Sequence, residues 1–140
     1  MSGPAPLGSN PPTAPPLDSR GLPMGYPFKP EWEVTPRDVK QMLDERRPFI
    51  LLDCRRPEEH QFNKIPGDTF IPMSEIERRA DELEDEDGNR DTPVIVYCHH
   101  GVRSLRVTAA LRAMGYSDVK SMAGGIDAWS MGVDPATPRY

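Results

Sequence analysis

The sequence VIVYCHHGVRS spans residues 94–104 and decides the fold class of this 140-residue chain. Its first four residues, all apolar or aromatic, form a run typical of a strand that is buried on both faces. Beyond the loop, Val107, Leu111 and Met114 recur with the period of a helix, and Gly115 is a suitable C-cap residue. The stretch therefore predicts a buried strand, a short loop and a helix in direct succession.

The rest of the chain alternates the same two patterns. Short apolar runs at residues 49–52, 69–71 and 119–122 predict further strands. Helix-start signals occur at residues 35–38, where a proline follows a threonine N-cap, and at residues 74–77, which form a capping box. Strands and helices that alternate at this spacing predict an α/β domain with a parallel sheet, whose functional crevice lies at the carboxyl ends of the strands.

The first 30 residues differ in composition from the rest of the chain. Residues 1–30 contain nine of the 17 prolines, and periodic apolar residues are almost absent there. Such a segment buries too little apolar surface to order itself. We therefore predict a flexible, disordered Pro- and Gly-rich N-terminal extension over residues 1–30 and one domain over residues 31–140. Tyr26, Phe28 and Trp32 are the candidates to dock the end of the extension onto the domain.

Charge and hydropathy exclude several classes of function. The chain has 17 Lys and Arg against 22 Asp and Glu and no cluster of basic residues, which argues against nucleic acid or an anionic membrane as partner. Its longest apolar run is too short for a membrane span, and its first residues lack the pattern of a signal peptide. We therefore expect a cytoplasmic protein. Two cysteines are too few for a disulfide scaffold, so each is judged as a thiol.

Cys98 follows a predicted strand directly, at the sheet edge where an open parallel sheet has its functional crevice. The backbone N–H groups of the following loop, the helix N-terminus and the Arg103 guanidinium all favour negative charge on its sulfur. The alternative is a small buried residue that ends a strand. Position and loop composition together favour Cys98 as a reactive nucleophile.

The spacing between Cys98 and Arg103 narrows the chemistry. Cysteine-dependent phosphatases need a loop of the pattern C-x5-R, whereas four residues separate the two side chains here and Ser104 holds the position of the phosphatase arginine. A loop one residue shorter is too narrow for a phosphoryl group, but it can enclose the outer sulfur of a persulfide. The spacing favours sulfur over phosphate and leaves a phosphatase or an arsenate reductase as a disfavoured alternative.

These residues resemble the rhodanese family, whose single-domain members carry a six-residue active loop that begins with the catalytic cysteine. Three further elements match in order, and they are Asp53-Cys54-Arg55, Glu59 with Ile65-Pro66-Gly67, and Gly124–Trp129. The chain departs from the usual family residues outside the loop, at His60, Asn63-Lys64 and Asp68. The resemblance covers nearly all of residues 31–140. It implies a single rhodanese-like domain whose central sheet has about five parallel strands, with helices on both faces.

The resemblance also implies a sulfurtransferase that works in two steps. Cys98 takes a sulfane sulfur from a donor such as thiosulfate or a persulfide, holds it as a covalent persulfide, and passes it to cyanide or a thiol, including a protein thiol. His99, His100, Gly101, Val102 and Arg103 are the loop residues expected to bind the transferred sulfur. Asp53, Arg55 and Ser104 are expected to support the site, the first two through electrostatics or through a buried salt bridge. No metal and no cofactor is implied.

Several alternatives remain open at this level. Cys54 directly follows the strand that ends at Asp53, which the family's strand order places beside the strand before Cys98. Cys54 is therefore either a resolving thiol or a small core residue. His99 and His100 lack a third ligand at a plausible spacing and are expected to line the rim of the loop, while His60 is expected on a helix surface. A rhodanese-like module that carries sulfur to another protein, or only binds it, is the alternative to an enzyme. We expect a monomer or a weak dimer.

Overall fold

The computed structural model describes residues 13–140. Within these residues, the centre of the fold is a five-stranded sheet in which all neighbouring strands run parallel, in the order β1-β5-β4-β2-β3. The strands are β1 (Glu33–Val34), β2 (Ile50–Asp53), β3 (Thr69–Phe70), β4 (Val94–Tyr97) and β5 (Val119–Met122). The predicted α/β class with a parallel sheet of about five strands is confirmed.

Helices connect the strands and cover the sheet. The α-helices of the described part of the chain are α1 (Pro36–Asp44), α2 (Pro57–Phe62), α3 (Ile76–Arg79), α4 (Val102–Ala113) and α5 (Gly125–Gly132). The predicted start of α1 is confirmed, because Thr35 accepts a hydrogen bond from the Asp38 N–H and Asp38 accepts one from the Thr35 N–H. Among residues 13–140, no helix combines the length and the hydropathy that crossing a membrane requires.

Two apolar clusters hold the helices against opposite faces of the sheet. Adjacent strand residues point to opposite sides, so Leu51 and Leu52 of β2 belong to different clusters. The cluster around Leu52 contains buried residues of α3 and α4, and the cluster around Leu51 contains buried residues of α1 and α5. The helices therefore lie on both faces, as predicted.

The segment around residues 74–77 differs from its prediction. A 3-10 turn at Met73–Glu75 precedes α3, and Ser74 does not cap that helix. Pro72 accounts for the difference, because its carbonyl accepts the Glu75 N–H at 2.8 Å and closes a tight turn before the helix begins. The apolar side of the segment is nevertheless buried as expected, with Ile76 and Leu83 at most 2% exposed.

Part of residues 13–30 also differs from its prediction, because the stretch around Leu22 and Tyr26 packs against the domain, whereas residues 13–16 are exposed. Leu22 is completely buried, Leu17 pairs with Pro23 in an antiparallel bridge, and the Tyr26 hydroxyl donates to Glu33 at 2.6 Å. Single anchoring side chains hold this segment, and such contacts leave no periodic pattern in the sequence. Residues 1–12, the other part of the predicted extension, lie outside the described residues.

Candidate active site

The two cysteines lie side by side at the carboxyl ends of neighbouring strands. Asp53, the last residue of β2, is in register with Tyr97, the last residue of β4. Cys54 and Cys98 follow these two residues directly, and only 1% of each residue is exposed. The parallel register therefore brings both thiols to the sheet edge at which α/β folds place their functional sites.

A cradle of hydrogen-bonding groups surrounds the Cys98 sulfur. Sγ accepts the backbone N–H of Gly101 at 3.1 Å and that of Ser104 at 3.4 Å. The Cys98 thiol in turn donates to the Ser104 hydroxyl oxygen at 3.3 Å, and this oxygen lies 2.7 Å from that of Ser121. Because α4 begins at Val102, its N-terminal dipole points at the same sulfur. The cradle favours negative charge on Cys98 and on a group bound to it.

Gly101 is required by the shape of the loop. Its φ is +102°, in the left-handed region that glycine adopts without strain. A Cβ added there would lie 2.8 Å from the Tyr26 hydroxyl and 3.2 Å from the Gly124 nitrogen. The turn that aims the Gly101 N–H at the sulfur therefore leaves no room for a side chain.

The start of α5 supports the loop from behind. The N–H groups of Ile126 and Asp127 donate to the carbonyls of Cys98 and His99, at 2.9 and 3.1 Å. This approach requires a glycine at position 125, because an added Cβ would lie 2.3 Å from the His99 oxygen. The Gly124–Trp129 element thus has a structural role, which is to hold the backbone of the loop in place.

Arg103 closes the loop through an ion pair. Its guanidinium donates to both oxygens of Glu59, at 2.7 and 2.9 Å, and 28% of the Arg103 side chain is exposed. Burial alone would raise the pKa of Glu59. Hydrogen bonds from Arg103 and Tyr140, with the Arg103 charge, hold that pKa well below its usual range. Arg103 therefore anchors α4 to α2, while part of its side chain stays in contact with solvent.

Asp53 and Arg55 form a fully buried salt bridge. The Arg55 guanidinium donates to both Asp53 oxygens, at 2.9 and 2.8 Å, and neither side chain is exposed. Arg55 also donates to the Asn63 side-chain oxygen at 2.6 Å and to the Asn63 carbonyl at 2.7 Å. The sequence left two roles open for Asp53 and Arg55, electrostatic support of the site and a buried salt bridge. This geometry matches the salt bridge, which fixes the loops at the strand ends.

Most of the residues that depart from the family pattern meet in one polar cluster around this salt bridge. His60 Nδ1 lies 2.8 Å from an Asp53 oxygen, and the Tyr97 hydroxyl donates to Asp68 at 2.6 Å. His60 lies on helix α2 as expected, but its ring stacks on Phe70 and only 20% of its side chain is exposed. Three of these departures, His60, Asn63 and Asp68, therefore lie in one polar cluster with Asp53, Arg55 and Tyr97.

His99 and His100 stack on each other at the rim of the loop, with ring centroids 3.8 Å apart. Burial lowers the pKa of His99 to about 4, and its Nε2 lies 2.9 Å from the Tyr140 carbonyl oxygen. Spacing along the chain shows no third ligand for His99 and His100, but the fold supplies one, because an Asp127 oxygen lies within 4.8 Å of a nitrogen of each ring. Arg139 donates to both oxygens of Asp127, at 2.8 and 3.2 Å, so that carboxylate already has a cation as partner.

Cys54 borders a cleft of about 460 Å³ together with Arg55, Arg56 and Arg103. Its thiol donates to the Tyr97 carbonyl at 3.5 Å. Burial, followed by the neighbouring Cys98, raises the pKa of the Cys54 thiol well above its usual value. Cys54 is thus a protonated thiol between the apolar core and an arginine-lined cleft.

Two tyrosines at the site carry no motif and were not predicted as site residues. The Tyr140 ring stacks on His99 with centroids 3.9 Å apart, and its hydroxyl donates to Glu59 at 2.6 Å. The Tyr26 hydroxyl lies against the loop beside Gly101. Tyr26 was predicted only to dock the N-terminal segment. An aromatic residue in a Pro-rich stretch was the sequence feature that pointed to it.

Comparisons with known proteins agree with this geometry. Residues 35–131 match the family model of the rhodanese-like domain. The adenylyltransferase and sulfurtransferase UBA4 of Candida albicans is 30% identical over 117 residues, which are 81% of this chain and 27% of that protein. The chain therefore spans about a quarter of that relative.

Solved structures of similar size share the fold. A rhodanese-like domain protein from Staphylococcus aureus is 28% identical with a TM-score of 0.65, over 78% of this chain and 98% of that one. The human single-domain sulfurtransferase TSTD1 is 27% identical with a TM-score of 0.61, over 69% of this chain and 93% of that one. Since the matched model covers more than half of the chain, the protein belongs to the rhodanese-like domain family.

Proposed function

We propose that the protein is a sulfurtransferase that carries a sulfane sulfur as a persulfide on Cys98. One observation carries the proposal, which is the cradle of backbone N–H groups from Gly101 and Ser104 around the Cys98 sulfur. The UBA4 and TSTD1 relatives are both named as sulfurtransferases, which supports the same reaction class. Small sulfur donors and thiol or cyanide acceptors are the proposed substrates.

In the first step, the Cys98 thiolate attacks the outer sulfur of thiosulfate. A new S–S bond forms, the S–S bond of thiosulfate breaks, and sulfite leaves with the electron pair. The outer sulfur of the resulting persulfide carries the negative charge. Backbone N–H groups aimed at such a charge contribute about 3 kcal/mol per well-placed donor.

In the second step, an acceptor thiolate or cyanide attacks that outer sulfur. The S–S bond of the persulfide breaks and returns the electron pair to Cys98, while the acceptor leaves as a persulfide or as thiocyanate. Arg103 serves both steps, because its pairing with Glu59 fixes the loop and its exposed part attracts an anionic donor. The protein would thus return to its starting state after each transfer.

Intact mass after thiosulfate treatment tests the proposal. Shortly after mixing, the wild type should carry one added sulfur that a reducing thiol removes, and Cys98→Ala should gain none. Thiocyanate formed from thiosulfate and cyanide would measure turnover. Absence of added sulfur on a Cys98 that still reacts with an alkylating agent would contradict the thiosulfate reaction. Hydrolysis of a phosphate ester that disappears in Cys98→Ala would support the phosphatase alternative.

A second candidate is a sulfur carrier that delivers its persulfide to another protein with little turnover on small molecules. The name of UBA4 favours it, because that relative joins a sulfurtransferase to an adenylyltransferase in one protein. The two candidates differ in what happens to a loaded protein. Rapid loss of the added sulfur to cyanide or glutathione would support the enzyme, whereas a persulfide that persists with both acceptors would support the carrier.

A further inference from the structure

Cys54 and Cys98 occupy equivalent positions on neighbouring strands. Leu52 of β2 is in register with Val96 of β4, and each cysteine lies two residues further along its own strand direction. Since side chains alternate with a period of two, Cys54 shares a face with Leu52, and Cys98 shares one with Val96. All four residues belong to the same buried cluster. The two thiols therefore point to the same side of the sheet.

The backbone keeps the two cysteines close beyond the last strand residues. The Cys54 N–H donates to the Tyr97 carbonyl at 3.2 Å, and the Cys54 sulfur lies 3.5 Å from the same oxygen. That oxygen belongs to the peptide bond that joins Tyr97 to Cys98. Neighbouring strands lie about 4.8 Å apart, and a disulfide requires a Cα separation of about 4.4 to 6.8 Å. At that general spacing, cysteines on neighbouring strands are within reach of a disulfide.

From this placement we infer that Cys54 is a resolving thiol, which attacks the inner sulfur of the Cys98 persulfide and releases hydrosulfide. The inference rests on the proposed function, because that function supplies the persulfide. It gives the protein a second activity, the release of sulfide without an external acceptor. Because the Cys54 sulfur itself bonds to the Cys98 sulfur in this step, Cys54 is a catalytic residue of the second activity.

The step balances without an added oxidant. The Cys54 sulfur forms a bond with the inner sulfur of Cys98, and the bond between the inner and outer sulfurs breaks. The outer sulfur leaves with the electron pair and takes the proton of the Cys54 thiol, so it departs as hydrosulfide. The products are a Cys54–Cys98 disulfide and HS⁻. Two equivalents of an external thiol reduce the disulfide and restore both cysteines.

The surroundings of Cys54 suit this step. Burial raises the pKa of the Cys54 thiol, so the attacking thiolate forms only when a base takes its proton. The negatively charged outer sulfur of the persulfide is that base, and the transfer also gives it the proton with which it leaves. The cleft beside it is bordered by Arg56 and Arg103, which pair with Glu59, and it offers the hydrosulfide a route away from the two thiols.

Loading with thiosulfate in the absence of oxygen and of any reducing thiol tests the inference. The probe is intact mass under non-reducing conditions, with sulfide measured in the same sample. The wild type should lose two hydrogen atoms and release one sulfide for each disulfide formed. Cys54→Ala should keep one added sulfur and release no sulfide, and Cys98→Ala should show neither change. A sample without donor shows whether the disulfide forms by oxidation alone.

The outcomes separate this inference from the proposed function. A wild type that keeps its added sulfur as stably as Cys54→Ala would overturn the resolving role and leave the persulfide mechanism intact. Disulfide that forms equally without donor would overturn it as well, because the persulfide would then have no part in the step. Absence of sulfur on both wild type and Cys54→Ala would overturn the proposed function itself, and with it the resolving step.

Discussion

Tyr140 and Arg103 bind the same carboxylate. One oxygen of Glu59 accepts the Tyr140 hydroxyl at 2.6 Å and an Arg103 N–H at 2.9 Å, while the other oxygen accepts a second Arg103 N–H at 2.7 Å. Glu59 is nearly fully buried, with 1% of the residue exposed. The active loop is thus joined through one carboxylate to α2 and to the segment that contains Tyr140.

Glu59→Gln should destabilise the protein and slow the loading of Cys98. The amide keeps a hydrogen-bond acceptor but removes the charge that faces Arg103, so the free energy of unfolding should fall by about 2 kcal/mol. Urea denaturation measures that change, and single-turnover loading with thiosulfate measures the rate. Tyr140→Phe is the comparison variant. It removes a hydroxyl that donates to Glu59 and accepts from Arg55 at 2.9 Å, and it should cost less, about 1 kcal/mol, because it removes no charge. Equal losses in both variants would contradict the dominant role of the ion pair.

The environment of Asp127 predicts a pH dependence of stability. Burial would raise the pKa of Asp127, but hydrogen bonds and charge from His100 and Arg139 lower it to about 2. A carboxyl whose folded pKa lies below its unfolded value stabilises the fold above the unfolded pKa, near 3.9, and loses that contribution as the pH falls toward 2. Asp127→Asn should therefore cost about 2 kcal/mol at pH 7 and much less at pH 2.

Urea denaturation of wild type and Asp127→Asn at a series of pH values measures this difference. Other carboxyl groups titrate in both proteins, so only the difference between the two unfolding free energies isolates Asp127. A difference that stays constant from pH 7 to pH 2 would show that Asp127 contributes through packing and not through its charge.

The strand, loop and helix around Cys98 were predictable because local chemistry fixes them. The apolar run of β4, the glycine of the loop and the helix period of α4 lie within 20 consecutive residues, so one stretch of sequence contains the signals for all three. The four-residue separation between Cys98 and Arg103 likewise predicted a narrow loop. The structure shows that loop with Gly101 and Ser104 bound to the sulfur.

The polar surroundings of the site were not predictable in the same way. Arg55, Asn63 and Tyr140 meet although up to 85 positions separate them, and no local pattern encodes such contacts. Leu22 of the N-terminal segment is buried through a single side chain rather than a periodic face. The proximity of Asp127 to His99 and His100 depends on the packing of α5 against the loop, which spacing along the chain does not reveal.

His99 should titrate far below an ordinary histidine. Burial, followed by the neighbouring His100, lowers the pKa of His99 to about 4, so its ring is neutral at pH 6 to 8. NMR titration of the ring nitrogens should show one histidine that changes near pH 4, and His99→Gln should remove that signal. A His99 signal near pH 6.5 would contradict the buried, stacked position of the ring against Tyr140.

Gly101→Ala should impair the site more than an equally strained glycine elsewhere. Both Gly101 and Gly115 have positive φ, at +102° and +97°, so alanine at either position costs about 1 to 2 kcal/mol in backbone strain. Only at position 101 would the new Cβ meet other atoms, the nearest being the Tyr26 hydroxyl at 2.8 Å, whereas nothing lies within 4 Å at position 115. Sulfur loading of Cys98 should therefore fall strongly in Gly101→Ala and stay near wild type in Gly115→Ala.

Tyr26→Phe in the Gly101→Ala background separates the steric effect from the strain. Phenylalanine removes the hydroxyl that the new Cβ would meet and leaves the strain at position 101 unchanged, so the double variant should recover part of the lost loading. The next contact, with the Gly124 nitrogen at 3.2 Å, keeps the recovery incomplete. If the double variant loads sulfur no faster than Gly101→Ala alone, the Tyr26 hydroxyl does not limit the position of the loop. The whole effect then comes from the turn that aims the Gly101 N–H at the sulfur.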